Sequence, residues 1–210
     1  VGLDNKLSPQ ESLVQLQKAM DNGVDFITQG NGSSVASALI AGIEKHNRRN
    51  PGDERLFLNY AAVDPVFTNE RCSFWNFRFD ANSDMKMNAL TDYLAGQKEI
   101  KKVYLINQDY SHGRSVSAQA RKMLKEKRPD IEVVGNDFHP LAKVKDFTPY
   151  ISKIQASGAD AVITGNWGQD MTLLVKAAAD FGLDAPFLTY YGASSGVATQ
   201  LGEKGVDRLY

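Results

Sequence analysis

The stretch FITQGNGSSVASAL, residues 26–39, joins a short apolar run to an alternating Ala/Leu segment through a turn of Gly, Asn and Ser. The apolar run is typical of a buried strand, and the segment after the turn has the apolar spacing of a helix. Gly30 and Gly32 permit the change of direction between the two. The stretch therefore predicts a strand–turn–helix unit, with backbone N–H groups and the hydroxyls of Ser33 and Ser34 at the helix start.

The same unit recurs along the whole chain. Short apolar runs predict strands at 24–28, 55–63, 74–79, 101–109, 131–138, 159–166 and 186–192. Amphipathic segments predict helices at 8–20, 33–47, 85–94, 115–127, 147–158, 169–182 and 194–202. Ser8, Pro9 and Glu11 form the start signature of the first helix, with Ser8 as the N-cap. Apolar strands that alternate with amphipathic helices indicate an α/β fold, with parallel sheets covered by helices on both faces.

A domain boundary is predicted in the polar stretch FRFDANSDMK, residues 77–86. The chain has more strand–helix units than one modest sheet holds, and a strand rich in aromatic residues gives way here to a flexible-looking segment. We place the boundary near residues 80–84, which divides the chain into 1–80 and 81–210. The chain opens on VGLDN, which reads as the interior of a fold and lacks a start methionine, so we expect a trimmed piece of a longer protein.

Composition excludes several classes of partner. A net charge of −1 gives no strong field toward nucleic acid or an anionic membrane, so we expect no nucleic-acid partner. Cys72 is the single cysteine, which excludes an internal disulfide and fits a periplasmic protein as well as a cytosolic one. No apolar run approaches the ~20 residues that a membrane span needs.

The turns that follow the predicted strands are the candidate ligand-binding segments, because ligands of parallel sheets collect at the carboxyl ends of the strands. These turns lie at 28–34, 59–65, 107–113, 165–170 and 189–196. The first of them begins like a dinucleotide fingerprint, but Val35 stands in place of the third glycine, and no lysine precedes a Ser or Thr as in a phosphate loop. Its donors suit a carboxylate instead. The alternative is that Ser33 merely caps its helix.

The last turn offers a rival interpretation. Gly192, Ser194 and Gly196 match the nucleophile elbow of a serine hydrolase, between a predicted strand and a predicted helix. That elbow needs a downstream histidine, whereas the three histidines of the chain all precede Ser194. We therefore rank a serine hydrolase third among the functional hypotheses for this chain.

The histidines and aromatic residues are distributed unevenly. No histidine has metal-ligand spacing, so no metal and no cofactor are expected. His46 and His139 are expected at the surface, whereas His112 could donate a hydrogen bond to a ligand.

Aromatic side chains stand near the turns at Tyr60, Trp75, Tyr110, Trp167, Tyr190 and Tyr191. Trp167 lies between polar residues in a turn, and we expect it to line a site for an organic ligand.

The ordered turns resemble the leucine/isoleucine/valine-binding protein family, the type I solute-binding proteins of ABC importers. The resemblance rests on GNGSS, AAVDP, NQDYSHG, GNWGQD and TYYGAS in this order, together with the crossover FRFDANSDMK. It implies two Rossmann-like lobes that close on a ligand between them, with 1–80 as part of lobe one and 81–210 as most of lobe two. It also implies that the chain lacks the first βα unit and the C-terminal part of the fold.

The resemblance assigns roles to particular positions. Ser33 or Ser34 would bind the ligand carboxylate, and the backbone around Ala61 and Ala62 would assist. His112 takes the turn position where amino-acid binders often place a tyrosine.

Two of the three remaining positions depart from the amino-acid binders. Trp167 stands at their aromatic wall, but Tyr191 falls where they place the acidic residue that pairs with the ligand ammonium. Val63 stands where a Thr hydroxyl is often found. An unpaired buried ammonium is costly, so these departures favour an aromatic or otherwise apolar carboxylate, and the chain also resembles the branch that binds such compounds.

Together these features predict a non-enzymatic receptor that captures a small organic carboxylate, either an aromatic acid or a branched-chain or other amino acid. The receptor would be periplasmic, or extracytoplasmic and lipid-anchored, and would deliver the ligand to an ABC permease in the membrane. The alternative from another class is a ligand-sensing regulatory module on the same fold.

Overall fold

The computed structural model describes residues 2–194 and 196–210. The chain divides into two compact units, Val1–Ser83 and Asp84–Tyr210. Each unit contains a parallel sheet with helices packed on it, which confirms the predicted α/β class. Within the described residues, no helix combines the length and the apolar character that a membrane span requires.

Unit one holds a three-stranded parallel sheet in the order β1-β2-β3. Its elements are α1 (Pro9–Asp21), β1 (Phe26–Gln29), α2 (Ser33–Arg49), β2 (Leu56–Asn59), a short 3-10 helix (Pro65–Thr68) and β3 (Asn76–Arg78). The predicted start of α1 is confirmed, because the Ser8 hydroxyl accepts a hydrogen bond from the Glu11 N–H at 3.2 Å.

The two faces of this sheet differ in burial. Phe57 points toward α2 and is fully buried with Val35 and Ile43. On the opposite face, Phe26 is 60% exposed and Phe77 is 46% exposed. The prediction that helices cover both faces is therefore wrong for this sheet in the described chain.

Unit two holds a four-stranded parallel sheet in the order β5-β4-β6-β7. Its elements are α3 (Ser83–Gly96), β4 (Lys102–Gln108), α4 (Ser111–Lys127), β5 (Glu132–His139), α5 (Thr148–Ser157), β6 (Ala161–Thr164), α6 (Gly168–Phe181), β7 (Phe187–Thr189) and α7 (Val197–Leu201). The chain runs from β4 outward to β5 and then returns to the other side of β4 at β6. The strand order therefore reverses between β4 and β6, and such a switch point is where open α/β sheets bind ligands.

Helix α4 begins four residues earlier than the sequence predicts, at Ser111 rather than Ser115. Gly113 allows this start, because a Cβ at that position would collide with the carbonyl oxygen of Gln108 at the end of β4. His112 therefore belongs to the first turn of a helix that packs tightly on the sheet. The expected surface position of His139 is wrong, since its ring is fully buried against Phe147.

Candidate functional site

The first turn of α2 follows β1 and lies at the carboxyl edge of the sheet of unit one. Gly32 is its N-cap with a φ of 91°, and no side chain caps the helix. Ser33 is the first helical residue and is only 2% exposed, whereas Ser34 is half-buried. The alternative that Ser33 merely caps its helix is therefore wrong. A helix start without a side-chain cap presents N–H groups and a partial positive charge that suit an anion.

The turn after β2 lies against the turn that leads into α2. A Cβ on Gly30 would stand 2.8 Å from the Ala61 nitrogen, so the two turns approach each other as only glycine allows. The Asn59 side chain fixes the second turn, since its Oδ1 accepts from the Ala62 N–H at 2.7 Å and its Nδ2 donates to the Ala62 carbonyl at 2.8 Å. Ala62 thus has both backbone groups bonded within the protein. Of the predicted backbone pair, Ala61 is the member next to the serine turn.

Val63 is buried, and its carbonyl accepts a hydrogen bond from the Ser83 N–H at 2.9 Å. Its side chain belongs to the packed interior of unit one. The prediction that Val63 contacts ligand stays a prediction.

In unit two, Tyr110 and Trp167 bridge the switch point. They are the N-cap residues of α4 and α6, and neither of these helices has a side-chain cap. The Trp167 indole N–H donates to the Tyr110 hydroxyl at 2.7 Å. Two turns that are separate in sequence are therefore joined by their aromatic side chains at the carboxyl edge of β4 and β6.

His112 and two further tyrosines extend this aromatic group. The His112 ring centre lies 5.7 Å from that of Tyr110 and 6.1 Å from that of Tyr191. Tyr190, which the predicted site omitted, lies 6.3 Å from His112. The structure thus gathers Tyr110, His112, Trp167 and Tyr191, all predicted site residues, into one cluster.

The His112 imidazole is neutral. It is 1% exposed, and burial lowers its pKa from 6.5 to about 4, a shift that the hydrogen bond to the Gly165 carbonyl opposes and the nearby Lys86 charge reinforces. Because a carbonyl only accepts, the Nε2 that lies 3.2 Å from the Gly165 oxygen carries the proton. The N–H expected to serve a ligand is therefore committed to the backbone.

Lys86 supplies a positive charge to the cluster. Its Nζ lies 5.3 Å from the ring centre of Tyr191, within the range of a cation–π interaction. Burial also raises the pKa of the Tyr190 phenol well above its ordinary value, which keeps that side chain neutral.

Sequence reasoning missed the amide side chains at the end of β4. The Asn107 Oδ1 accepts from the Gly165 N–H at 2.8 Å. The Gln108 Nε2 donates to the Asp170 carboxylate at 2.8 Å, and the same oxygen accepts from the Ala142 N–H at 2.8 Å. A signal was present, because two amides close an otherwise apolar strand in LINQ, and buried amides in such a place must find partners.

The Ser194 region does not show a hydrolase arrangement. Ser194 is exposed, and its N–H donates to the Tyr191 carbonyl at 3.1 Å. Within residues 2–194 and 196–210, the hydrogen bonds of His46, His112 and His139 go to other groups and none to Ser194. In the described part of the chain, no group of His, Cys, Asp and Glu side chains is able to hold a metal ion.

Comparison with known proteins gives a consistent result. The family model described as "Periplasmic binding protein" matches residues 1–210. The chain is 35% identical over 189 residues to the Leu/Ile/Val-binding protein homolog 4 of Brucella abortus (strain 2308), covering 90% of this chain and 45% of that protein.

Solved structures show the same fold. The leucine-, isoleucine-, valine-, threonine-, and alanine-binding protein from Brucella ovis, in a closed conformation, matches with a TM-score of 0.79 and 34% identity over 96% of this chain and 51% of that one. A solute-binding protein of an ABC transporter from R. palustris, in complex with benzoate, matches with a TM-score of 0.83 and 19% identity over 97% of this chain and 54% of that one. The chain spans about half the length of these relatives. Since the family model matches throughout, the chain belongs to the periplasmic binding protein family, with the type I fold of its Leu/Ile/Val-binding relatives.

Proposed function

We propose that this gene product is a periplasmic, or lipid-anchored extracytoplasmic, receptor of an ABC importer that binds a small organic carboxylate and leaves it chemically unchanged. The observation that carries the proposal is the start of α2, where Ser33 and Ser34 follow a glycine N-cap and no side chain caps the helix. In contrast, Ser8 caps α1. Backbone N–H groups that lack a side-chain acceptor, together with hydroxyl donors, favour a carboxylate.

The aromatic cluster of unit two supports a ligand with a flat, apolar body. Tyr110, Trp167 and Tyr191 are half-buried beside the switch point, and aromatic side chains with a few polar groups are typical of sites for organic ligands. We therefore propose that this cluster, within unit two, contacts an apolar part of an organic ligand.

An aromatic acid is favoured over an amino acid. Tyr191 stands where the resemblance to amino-acid binders places the acidic partner of a ligand ammonium, and a phenol does not neutralise such a charge. The benzoate complex of the R. palustris protein supports the same class, whereas the names of the Brucella relatives support leucine, isoleucine, valine, threonine and alanine.

We also propose delivery to a permease, which the family membership supports and which is tested in cells. Uptake of radiolabelled benzoate and leucine is measured in the host strain, in a strain without the gene, and in that strain complemented with the wild-type or the Ser33→Ala/Ser34→Ala gene. We expect deletion to reduce uptake of one compound, wild-type complementation to restore it, and the double variant to restore it poorly. Equal uptake of both compounds with and without the gene would contradict the importer role for these two classes.

A further inference from the structure

The ladder between β4 and β6 stops before the strands end. The last paired residues are Leu105 and Ile163, so the same register would place Asn107 opposite Gly165. At this position a side chain replaces the backbone, because the Asn107 Oδ1 accepts from the Gly165 N–H at 2.8 Å. Asn107 is fully buried, so this hydrogen bond is shielded from water.

His112, on α4, forms a second hydrogen bond to the backbone of Gly165. Its Nε2–H donates to the Gly165 carbonyl at 3.2 Å. Both backbone polar groups of Gly165 are thus bonded to side chains from β4 and α4. We name Asn107, His112 and Gly165 the Gly165 clasp. A side chain at 165 would disturb it, since a Cβ would lie 3.1 Å from the His112 Nε2 and 3.3 Å from the Asn107 Oδ1.

The clasp lies next to the aromatic bridge in both segments of chain. His112 follows Tyr110 by two residues, and Trp167 follows Gly165 by two residues. The bridge is the hydrogen bond from the Trp167 indole to the Tyr110 hydroxyl at 2.7 Å. A hydrogen bond of this length forms only when the two turns are held at one separation. The hydrogen bonds of the clasp hold the same two segments together two residues away.

We propose that Asn107 and His112 are positioning residues of the ligand site. By holding Gly165 at both its N–H and its carbonyl, they set the distance between the turns that carry Tyr110 and Trp167. The inference rests on the proposed function for the ligand alone, since the clasp and the bridge are defined by contacts within the protein.

The Trp167 indole N–H gives a direct readout. Its cross-peak in a proton–nitrogen correlation spectrum of the full gene product is identified by its loss in Trp167→Phe. Tyr110→Phe removes the acceptor and gives the peak position without the bridge. His112→Gln keeps an N–H long enough to reach the Gly165 carbonyl, His112→Asn is too short, and Asn107→Leu removes the acceptor for the Gly165 N–H.

A matched control comes from elsewhere on α4. Ser117→Ala removes a partly buried hydrogen bond of 2.8 Å to the Asn136 side chain without touching the clasp. We expect the Trp167 peak to move toward its Tyr110→Phe position in His112→Asn and Asn107→Leu, and to stay in Ser117→Ala and His112→Gln. The inference is overturned if a folded His112→Asn keeps the wild-type peak, or if His112→Gln moves it as far as His112→Asn does. The two His112 variants decide the matter if Asn107→Leu does not fold.

Ligand binding provides the second arm. We expect the dissociation constant for benzoate, measured by calorimetry, to rise about tenfold in His112→Asn, the loss typical of one buried hydrogen bond. An unchanged constant in a variant whose peak has moved would show that the clasp does not position the ligand site. A wild-type protein that binds neither benzoate nor leucine would contradict the proposed function instead, and the cross-peak would still decide whether the clasp sets the bridge.

Discussion

At Gly165 the space around the α-carbon is filled. A Cβ there would lie 2.7 Å from the Val116 side chain and 3.1 Å from the His112 ring. We expect Gly165→Ala to lower the free energy of unfolding by about 1–3 kcal/mol, the usual cost of overpacking a buried position. Urea denaturation measures this change.

The control is a glycine with room around it. Gly96 ends α3, and a Cβ there would meet no atom within 4 Å. We expect Gly96→Ala to leave the free energy of unfolding within about 0.5 kcal/mol of wild type. Equal losses in the two variants would show that crowding at Gly165 is not the cause.

The buried imidazole of His112 makes stability depend on pH. Its pKa lies near 4 in the folded protein against an ordinary 6.5. Between these two values the unfolded chain binds a proton on this residue and the folded protein does not, so the free energy of unfolding falls as pH decreases from 6.5 to 4. The loss over this window is about 3 kcal/mol.

Comparison with His112→Gln isolates this contribution, because glutamine does not titrate. We expect His112→Gln to become more stable relative to wild type as pH falls from 6.5 to 4. Above pH 7.5 we expect the difference in unfolding free energy between the two proteins to be constant. Denaturation curves across this range supply the measurement. If the difference does not change with pH, His112 binds a proton as readily in the folded protein as in the unfolded chain, which would contradict the prediction.

At the scale of the element, the two serine-containing helix starts of unit one differ in how they are capped. Ser8 caps α1 with its own hydroxyl, whereas Ser33 and Ser34 lie inside α2 after a glycine N-cap. We expect Ser8→Ala to cost about 1 kcal/mol of stability and to leave ligand affinity unchanged. We expect the double variant Ser33→Ala/Ser34→Ala to cost less stability and to weaken carboxylate binding.

Thermal unfolding and calorimetry on the same preparations separate the two effects. The assignment of the α2 turn to ligand binding fails if the double variant loses stability as Ser8→Ala does and keeps its affinity for benzoate.

Helices and strands followed closely from the sequence, because apolar periodicity and glycine turns act locally. The start of α1 was readable from Ser8 and Glu11. The early start of α4 was not, since it depends on how closely Gly113 approaches the backbone of β4. Burial of His139 likewise depends on Phe147 from the following segment, a contact that spacing alone does not reveal.

Within unit two, the sequence indicated which turns meet but not which atoms. It pointed to Tyr110, His112, Trp167 and Tyr191, which the fold gathers into one cluster. It missed Asn107, because the amides that end LINQ signal a need for hydrogen-bond partners but do not tell which backbone group of the neighbouring segment supplies them. The donor assignment of His112 also needed the position of the Gly165 carbonyl.

At the scale of the whole molecule, family membership establishes the fold, whereas the proposed ligand class rests on the side chains of the candidate site. The match to the periplasmic binding protein family covers the chain, and the chain spans about half the length of its relatives. The central claim is the proposal that the serine-containing turn at the start of α2 holds an organic acid without reacting with it.

Calorimetric titration of the full gene product with benzoate, followed by recovery of the benzoate, tests that claim most directly. We predict saturable binding that weakens about tenfold in Ser33→Ala/Ser34→Ala, with the benzoate recovered unaltered. Conversion of the benzoate, or binding that the double variant leaves as tight as in wild type, would contradict it.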